Sequence, residues 1–141
     1  MPDPTITLKR SFFQRLLGKP ATHEPADSEC WVYENSCITV QLDRLPELAE
    51  PGSGVRLEGK TCPERILLIR GDNGAYYAFQ NRCTHGGRRL DPVPGAETVQ
   101  CCSIGKTTFD YEGHRLAGSG KENIPFYPIQ MQDNELTITI G

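Results

Sequence analysis

Two short cysteine-containing loops between residues 81 and 110 constrain this chain more than any other feature. The first spans residues 83–87 (CTHGG) and the second residues 101–105 (CCSIG), and a stretch rich in proline and glycine separates them. Together they hold three of the six cysteines and one of the three histidines in the chain. Thiolates and imidazoles are typical protein ligands of transition metals. The pattern therefore predicts a metal bound between two loops.

The length of 141 residues is that of a single domain. The net charge of -3 is small, and the basic residues are dispersed apart from an N-terminal cluster, so nucleic acid is not an expected partner. The start of the chain lacks the basic stretch and apolar run of a secretory signal, and the longest apolar block, residues 66–69, is too short to cross a bilayer. We expect a soluble, cytoplasmic protein. In a reducing compartment, its cysteines favour metal ligation or reactivity over a disulfide scaffold.

Residues 8–19 (LKRSFFQRLLGK) have the pattern of a short basic amphipathic helix. Leu8, Phe12 and Leu16 fall on one helical face, and a glycine and a proline follow as stop signals. Packing of the apolar stripe on the chain's own domain is the favoured interpretation. Peripheral docking of residues 8–19 on an acidic membrane surface or a partner protein is the alternative. Residues 21–29 are polar and predict a linker, so we divide the chain into residues 1–29 and a domain of residues 30–141.

Beyond residue 30 the apolar residues alternate with polar ones, which is the period of a β-strand. Asp72, Asn73 and Gly74 supply the turn of a hairpin that leads directly into the first loop. Residues 91–95 are predicted as a loop excursion between the two cysteine loops. The strands are predicted at residues 31–33, 37–42, 55–57, 66–70, 75–80, 107–111, 114–116, 127–131 and 136–140. The predicted fold is an all-β antiparallel barrel or sandwich that carries both loops at one end.

The two loops and the strands around them resemble the Rieske [2Fe-2S] iron-sulfur family. In that family each loop supplies one cysteine and one histidine, in the patterns Cys-x-His-x-Gly and Cys-x-x-His-Gly. Here residues 83–87 match the first pattern, 15 residues lie between His85 and Cys101, and Phe109, Asp110 and Gly113 follow as they usually do in the family. The resemblance covers residues 36–140. It implies a Rieske-like sandwich with a small cluster-binding subdomain within residues 80–118.

The resemblance also implies which residues lie at the cluster. Cys83 and Cys101 would bind one iron and His85 the other. Backbone N–H groups of Gly86, Gly87 and Gly105 would donate hydrogen bonds to sulfur.

The second loop departs from the family pattern. Ile104 stands where the second histidine ligand is expected, and Cys102 replaces the usual proline. Alignment on Cys102 puts Gly105 at the histidine position, so neither alignment supplies an imidazole. Arg88 and Ser103 occupy the positions of the cysteines that form a disulfide in respiratory members of the family.

Three outcomes remain open at the second loop. In the first, a [2Fe-2S] cluster takes its fourth ligand from Cys102 or, less favourably, from His114. In the second, the cluster is lost, the fold serves as an interaction or regulatory module, and Cys83 and Cys101 form a disulfide if their geometry permits. In the third, zinc is bound by Cys83, His85, Cys101 and Cys102, although adjacent cysteines on one tetrahedral ion strain the backbone.

The favoured function is that of a small Rieske-type protein that carries single electrons between redox partner proteins, with non-standard ligation of the cluster. The chain is too short to add the mononuclear-iron domain of Rieske oxygenases, so we expect an electron-transfer component rather than an enzyme by itself. The alternative is a cluster-free interaction module. A basic group of Arg88, Arg89 and Lys106 beside the loops is interpreted as a solvated face, as a surface that steers an acidic partner, or as compensation for cluster charge.

Overall fold

The chain forms short β-strands joined by turns, as the alternating pattern predicts. The computed structural model describes residues 2–8, 21–84, 87–102, 105–118 and 123–140. Within these ranges there are twelve strands and three 3-10 turns (Ser28–Cys30, Leu42–Arg44 and Pro46–Leu48), and no α-helix. The all-β prediction is confirmed. The predicted helix at residues 8–19 lies outside the described residues except for Leu8.

Two antiparallel sheets form the body of the domain. The first has the order β1-β2-β12-β11 and the second the order β10-β5-β4-β3. Their strands are β1 (Trp31–Glu34), β2 (Cys37–Gln41), β3 (Gly54–Leu57), β4 (Ile66–Arg70), β5 (Tyr76–Gln80), β10 (Phe126–Tyr127), β11 (Ile129–Gln132) and β12 (Glu135–Thr139).

A third antiparallel sheet carries the second cysteine loop. Its order is β6-β7-β8-β9, and its strands are β6 (Leu90–Val93), β7 (Thr98–Cys101), β8 (Thr108–Asp110) and β9 (Arg115–Ala117). The first cysteine loop leaves the second sheet at the end of β5 and enters the third sheet at β6. Both predicted loops therefore belong to this small subdomain, as the family resemblance implies.

The second sheet is apolar on both faces because it separates two cores. In β4, Ile66 and Leu68 pack with Trp31, Val40 and other side chains of the first sheet, which we call the first core. The side chains on the opposite face of β4, Leu67 and Ile69, pack into a second core. This alternation explains why β4 is a continuous run of apolar residues rather than an alternating one.

The second core fills the space between the second and third sheets. It is formed by Leu67, Ile69, Phe79, Cys83, Leu90, Val99, Cys101, Phe109 and Ile124. Two of its members are cysteines of the predicted metal site. The packing that joins the two sheets is therefore also the packing that sets the positions of these thiols.

The Asp72 carboxylate ties the far end of the third sheet to the second sheet. Its two oxygens accept hydrogen bonds from the backbone N–H groups of Gly95 and Glu97, at 2.9 and 2.8 Å. The Tyr111 hydroxyl lies 3.2 Å from the same carboxylate, and the Tyr111 ring stacks on Tyr77 with the ring centres 4.6 Å apart. These contacts hold the β6–β7 turn against the β4–β5 turn, at the opposite end of the hairpin from Cys101.

The structure corrects two details of the sequence prediction. The excursion predicted at residues 91–95 is largely strand, because β6 and β7 form a hairpin in which Leu90 faces Cys101 and Val93 faces Thr98. Pro92 is tolerated there because β6 is an edge strand, where a missing N–H breaks no ladder. The linker predicted at residues 21–29 is packed on the domain, since Thr22 and Pro25 are both buried.

Two glycines with nearly the same backbone conformation differ in their surroundings. Gly74 and Gly113 have φ angles of 84° and 83°, which an L-residue adopts only with strain. A Cβ at Gly74 would meet no atom within 4 Å, whereas a Cβ at Gly113 would lie 2.5 Å from the carbonyl oxygen of Ile124. The pair separates backbone strain from steric exclusion.

We predict that Gly74→Ala lowers the free energy of unfolding by about 1 kcal/mol, the cost of a positive φ alone. Gly113→Ala should lower it by about 3 kcal/mol, since the Ile124 carbonyl must also move. Urea unfolding of both variants, compared through their midpoints at equal slope, measures the difference. Equal losses would show that the tight approach of Gly113 to Ile124 has no energetic consequence.

Candidate metal centre

The structure brings the first cysteine of each loop into one apolar core. Cys83 is 2% exposed and Cys101 is 1% exposed, and both pack in the second core with Phe79, Leu90 and Phe109. Cys83 follows β5 by three residues, and Cys101 is the last residue of β7. All six cysteines of the chain lie among the described residues, and none of them forms a disulfide there.

Asn81 fastens the start of the first loop to the third sheet. It is fully buried, and its side-chain oxygen accepts a hydrogen bond of 2.7 Å from the N–H of Leu90. The N–H of Asn81 donates to the carbonyl of Arg65 at 2.7 Å. Leu90 is in turn paired with Cys101 in the β6–β7 ladder. A single buried amide, two residues before Cys83, thus connects the start of the first loop to the strand beside Cys101.

Backbone hydrogen bonds close the first loop into a tight turn. The N–H of Cys83 donates to the carbonyl of Arg88 at 2.7 Å, and the N–H of Gly87 donates to the carbonyl of Cys83 at 2.9 Å. Gly87 has a φ of 72°, and its carbonyl accepts a hydrogen bond of 2.5 Å from the guanidinium of Arg65. The Gly87 N–H, predicted as a donor to sulfur, is directed to backbone oxygen here. His85 and Gly86 lie outside the described residues.

The second loop begins with a bend at Cys102, directly after β7. The N–H of Cys101 donates to Thr107 on the β8 side, at 2.7 Å, and the N–H of Cys102 donates to Arg89 on the β6 side, at 3.0 Å. Cys101 packs in the second core, while Cys102 belongs to neither core.

Cys102 is buried in a setting that keeps its thiol protonated. It is 2% exposed. Burial is the main reason that the pKa of Cys102 rises to about 11, and the proximity of Cys101 and Asp91 adds to the shift. At neutral pH the group is therefore a thiol, and a metal ion bound there would have to displace its proton.

The donor set fits a [2Fe-2S] cluster in part. Two buried thiols on paired loops are suited to holding one iron. On a second iron, His85 would supply an imidazole, whereas Ile104 has no donor atom in its side chain. Ser103 and Ile104 lie outside the described residues, and Gly105, the third predicted donor to sulfur, is exposed. The residues therefore account for three of the four protein ligands of such a cluster, with the fourth place open.

The other predicted ligands are not brought together by the described part of the chain. Its residues contain no group of three or more histidine, cysteine or acidic side chains able to hold a metal ion. His114 is exposed and pairs with Asn123 in an isolated β-bridge, with its Nδ1 3.3 Å from the Asp110 carboxylate. The predicted zinc site includes His85, which lies outside the described residues.

Several residues around the centre carry no recognisable sequence motif. Asn81 and Arg65 support the first loop through their hydrogen bonds with Leu90 and Gly87. The guanidinium of Arg89, predicted as part of a basic face, makes a two-fold hydrogen bond with Glu58 at 2.6 and 2.7 Å, so its charge is paired. The only signal for Asn81 is a polar residue placed directly between a strand and the CTHGG loop.

The first loop also borders an open cleft. The cleft has a volume of about 520 Å³ and is lined by Gln80, Arg82, Cys83, Thr84, Gly87, Asn123 and Pro125. Within the part of the chain that the structure describes, no helix has the length and apolar character needed to cross a membrane.

Comparison with known structures identifies proteins of similar fold. One is the ferredoxin of carbazole 1,9a-dioxygenase from Nocardioides aromaticivorans IC177, with a TM-score of 0.57, 21% identity, and coverage of 73% of this chain and 95% of that chain. Another is the quaternary ammonium Rieske monooxygenase CntA, with a TM-score of 0.55 and 20% identity. The match to CntA covers 79% of this chain and 32% of that one, so this chain spans about a third of the monooxygenase.

The family comparison rests on sequence. No curated protein matches this chain. The family model for the Rieske [2Fe-2S] domain matches residues 40–128, which are 89 of the 141 residues and include both cysteine loops. Together with the three-sheet fold and the burial of Cys83 and Cys101 in one core, this match shows that the chain belongs to the Rieske [2Fe-2S] domain family.

Proposed function

We propose that this protein carries single electrons between redox partner proteins, by means of a [2Fe-2S] cluster held between its two loops. The observation that carries the proposal is the burial of Cys83 and Cys101, the first cysteine of each loop, in one core. The hydrogen bond between Asn81 and Leu90 joins the segments that flank the first loop. The functional unit is residues 30–141. The matched part of the chain covers 95% of the dioxygenase ferredoxin of similar fold.

In this proposal the ligands are unequal on the two irons. Cys83 and Cys101 bind one iron through thiolates, and His85 and Cys102 bind the other. Such a cluster supplies one-electron oxidation and reduction at a buried position. A thiolate in place of a neutral imidazole adds negative charge, and imidazole ligation is what raises Rieske potentials above those of four-cysteine clusters. We therefore expect a reduction potential below that of a centre with two imidazoles.

Ligation by Cys102 requires a local change in the chain. The N–H of Cys102 donates to the carbonyl of Arg89, and this hydrogen bond holds the residue beside the start of β6. Turning Cys102 toward Cys101 would break one backbone hydrogen bond. Metal binding of the kind seen at structural sites releases enough free energy to offset such a loss. Gly86 and Gly105 remain the proposed N–H donors to sulfur, whereas Gly87 would first have to release the carbonyl of Cys83.

The ligand set is tested by iron and sulfide analysis of protein purified without oxygen. We predict about two iron and two sulfide per chain and a visible chromophore. Cys102→Ser should lower the iron content and change the spectrum, while Cys37→Ser, in β2 of the first sheet, should leave both unchanged. An unchanged spectrum in Cys102→Ser would remove Cys102 from the ligand set. Colourless protein that resists anaerobic reconstitution with iron and sulfide would contradict the carrier role.

The segments that contain the two loops carry a net positive charge, although the net charge of the protein is negative. Residues 82–89 and 101–107 carry four of the 15 basic residues and none of the 18 acidic ones, which leaves 11 basic and 18 acidic residues, a charge of -7, for the rest of the chain. Arg82, Arg88 and Lys106 are exposed, whereas Arg89 is paired with Glu58. We propose that these exposed cations steer an acidic surface of the redox partner toward the cluster.

We predict that reduced protein transfers electrons to ferricyanide, an anionic acceptor, at a rate that falls as ionic strength rises, despite the net charge of -3. Arg82→Gln should weaken this salt dependence, and the triple change of Arg82, Arg88 and Lys106 to Gln should abolish it. Arg44→Gln, which removes one charge outside both loops, is the matched control and should behave like the unchanged protein. Stopped-flow rates over a range of salt concentrations measure the effect. A rate that rises with salt in the unchanged protein would contradict a basic docking face.

A second candidate function is that of a cluster-free interaction module. The absence of a donor atom at Ile104 and the burial of Cys102 as a thiol favour it. This alternative expects normal folding without iron and partner binding that is insensitive to Cys83→Ser. Loss of the fold or of partner binding when iron is removed would count against it.

A further inference from the structure

The segment that precedes the first sheet is fastened across the back of the second loop. Asp91, in β6, is 1% exposed and lies 70 residues further along the chain than Ala21. One carboxylate oxygen of Asp91 accepts the N–H of Ala21 at 2.9 Å, and the other accepts the N–H of Thr22 at 2.8 Å. A buried carboxylate with two backbone donors is a strong attachment, because hydrogen bonds to an ionised group are about twice as strong as neutral ones.

A second set of contacts ties the same segment to the base of both loops. The guanidinium of Arg56 donates to the carbonyl of Thr22 at 3.1 Å, and its backbone N–H donates to the carbonyl of His23 at 3.0 Å. Arg56 also contacts Glu58 at 3.3 Å, and Glu58 in turn holds Arg89. The carbonyl of Arg89 accepts the N–H of Cys102. Continuous polar contacts therefore run from residues 22–23 to the second loop.

Asp91 belongs to neither core, and its carboxylate is close enough to Cys102 to act on that thiol electrostatically. In the β6–β7 ladder Asp91 is directly opposite Gln100, and side chains two residues apart on a strand share a face. Gln100 and Thr98 on this face are buried, at 1% and 0% exposure, although both are polar. The backbone N–H groups of Ala21 and Thr22 are hydrogen-bonded to Asp91, the residue directly opposite Gln100. Cys101, on the other face, is covered by the second core instead.

We propose that Asp91 is a positioning residue that clasps residues 21–23 over the back of the second loop, and that this clasp keeps Cys102 buried and fixes the start of the loop. The inference deepens the proposed function, on which its relevance to the cluster rests. It assigns the segment predicted as a linker to the support of the metal centre. When the clasp opens, Cys102 becomes accessible while the first core stays intact.

The test compares the alkylation rates of two buried cysteines by iodoacetamide, followed by peptide mass spectrometry. Cys102 reports on the clasp, and Cys30, which is 0% exposed in the first core, reports on global opening. Asp91→Asn keeps the shape but replaces one acceptor with a donor, and Thr22→Pro removes one of the donated N–H groups. Each should raise the Cys102 rate relative to Cys30 by about tenfold, since a hydrogen bond to a charged group is lost.

Asp72→Asn is the matched control. Asp72 also accepts two long-range backbone N–H groups, but at the far end of the β6–β7 hairpin, so this change should leave the ratio of the two rates unaltered. An unaltered ratio in both Asp91→Asn and Thr22→Pro would overturn the clasp, as would equal acceleration of Cys30 and Cys102. The full chain is labelled as purified and again after removal of iron by a chelator. The ratio after chelation tests the clasp even if the protein proves to bind no cluster.

Discussion

The burial of the second sheet on both faces is the constraint on which the rest of the structure depends. Ile66 and Leu68 belong to one core and Leu67 and Ile69 to the other, so β4 is enclosed by the first sheet on one side and the third sheet on the other. Burying a large aliphatic side chain stabilises a fold by about 1.5–3 kcal/mol, and four of them lie in succession in this strand. The third sheet cannot detach without exposing one face of β4. The cysteine loops are therefore held by the same packing that holds the domain together.

This arrangement makes the two halves of the metal centre unequal. Cys83 and Cys101 are core residues, fixed by hydrophobic packing and by the buried Asn81 side chain. Cys102 is also buried but belongs to neither core, and it lies near the Asp91 carboxylate. One iron would thus be bound by groups already in place, and the other would depend on His85 and on a rearrangement at Cys102. The second loop departs from the family pattern at Cys102, and the structure shows the same break: Cys101 packs in the second core and Cys102 does not.

The sequence was most informative where a periodic pattern or a spaced motif was present. The alternation of Ile38 and Val40 with polar residues predicted β2 correctly, and the Asp72-Asn73-Gly74 turn predicted the hairpin that leads to Cys83. The sequence did not predict β6 and β7, because Pro92 and Gly95 are typical of loops. The proline is acceptable only because β6 is an edge strand. Asn81, Asp91 and Arg65 act through contacts with residues distant in the chain, which no local pattern records. The polar composition of residues 21–29 predicted a linker. The N–H groups of Ala21 and Thr22 instead donate to Asp91, about 70 residues further along the chain.

The most direct test of the account is the number of imidazole nitrogens bound to the cluster. Electron paramagnetic resonance of the dithionite-reduced protein, with nitrogen hyperfine coupling measured after ¹⁵N-histidine labelling, counts them. The proposed ligation predicts a cluster signal coupled to one imidazole, with the coupling lost in His85→Ala and retained in His114→Ala. A signal coupled to two imidazoles, or reduced protein that gives no cluster signal after anaerobic reconstitution, would contradict it.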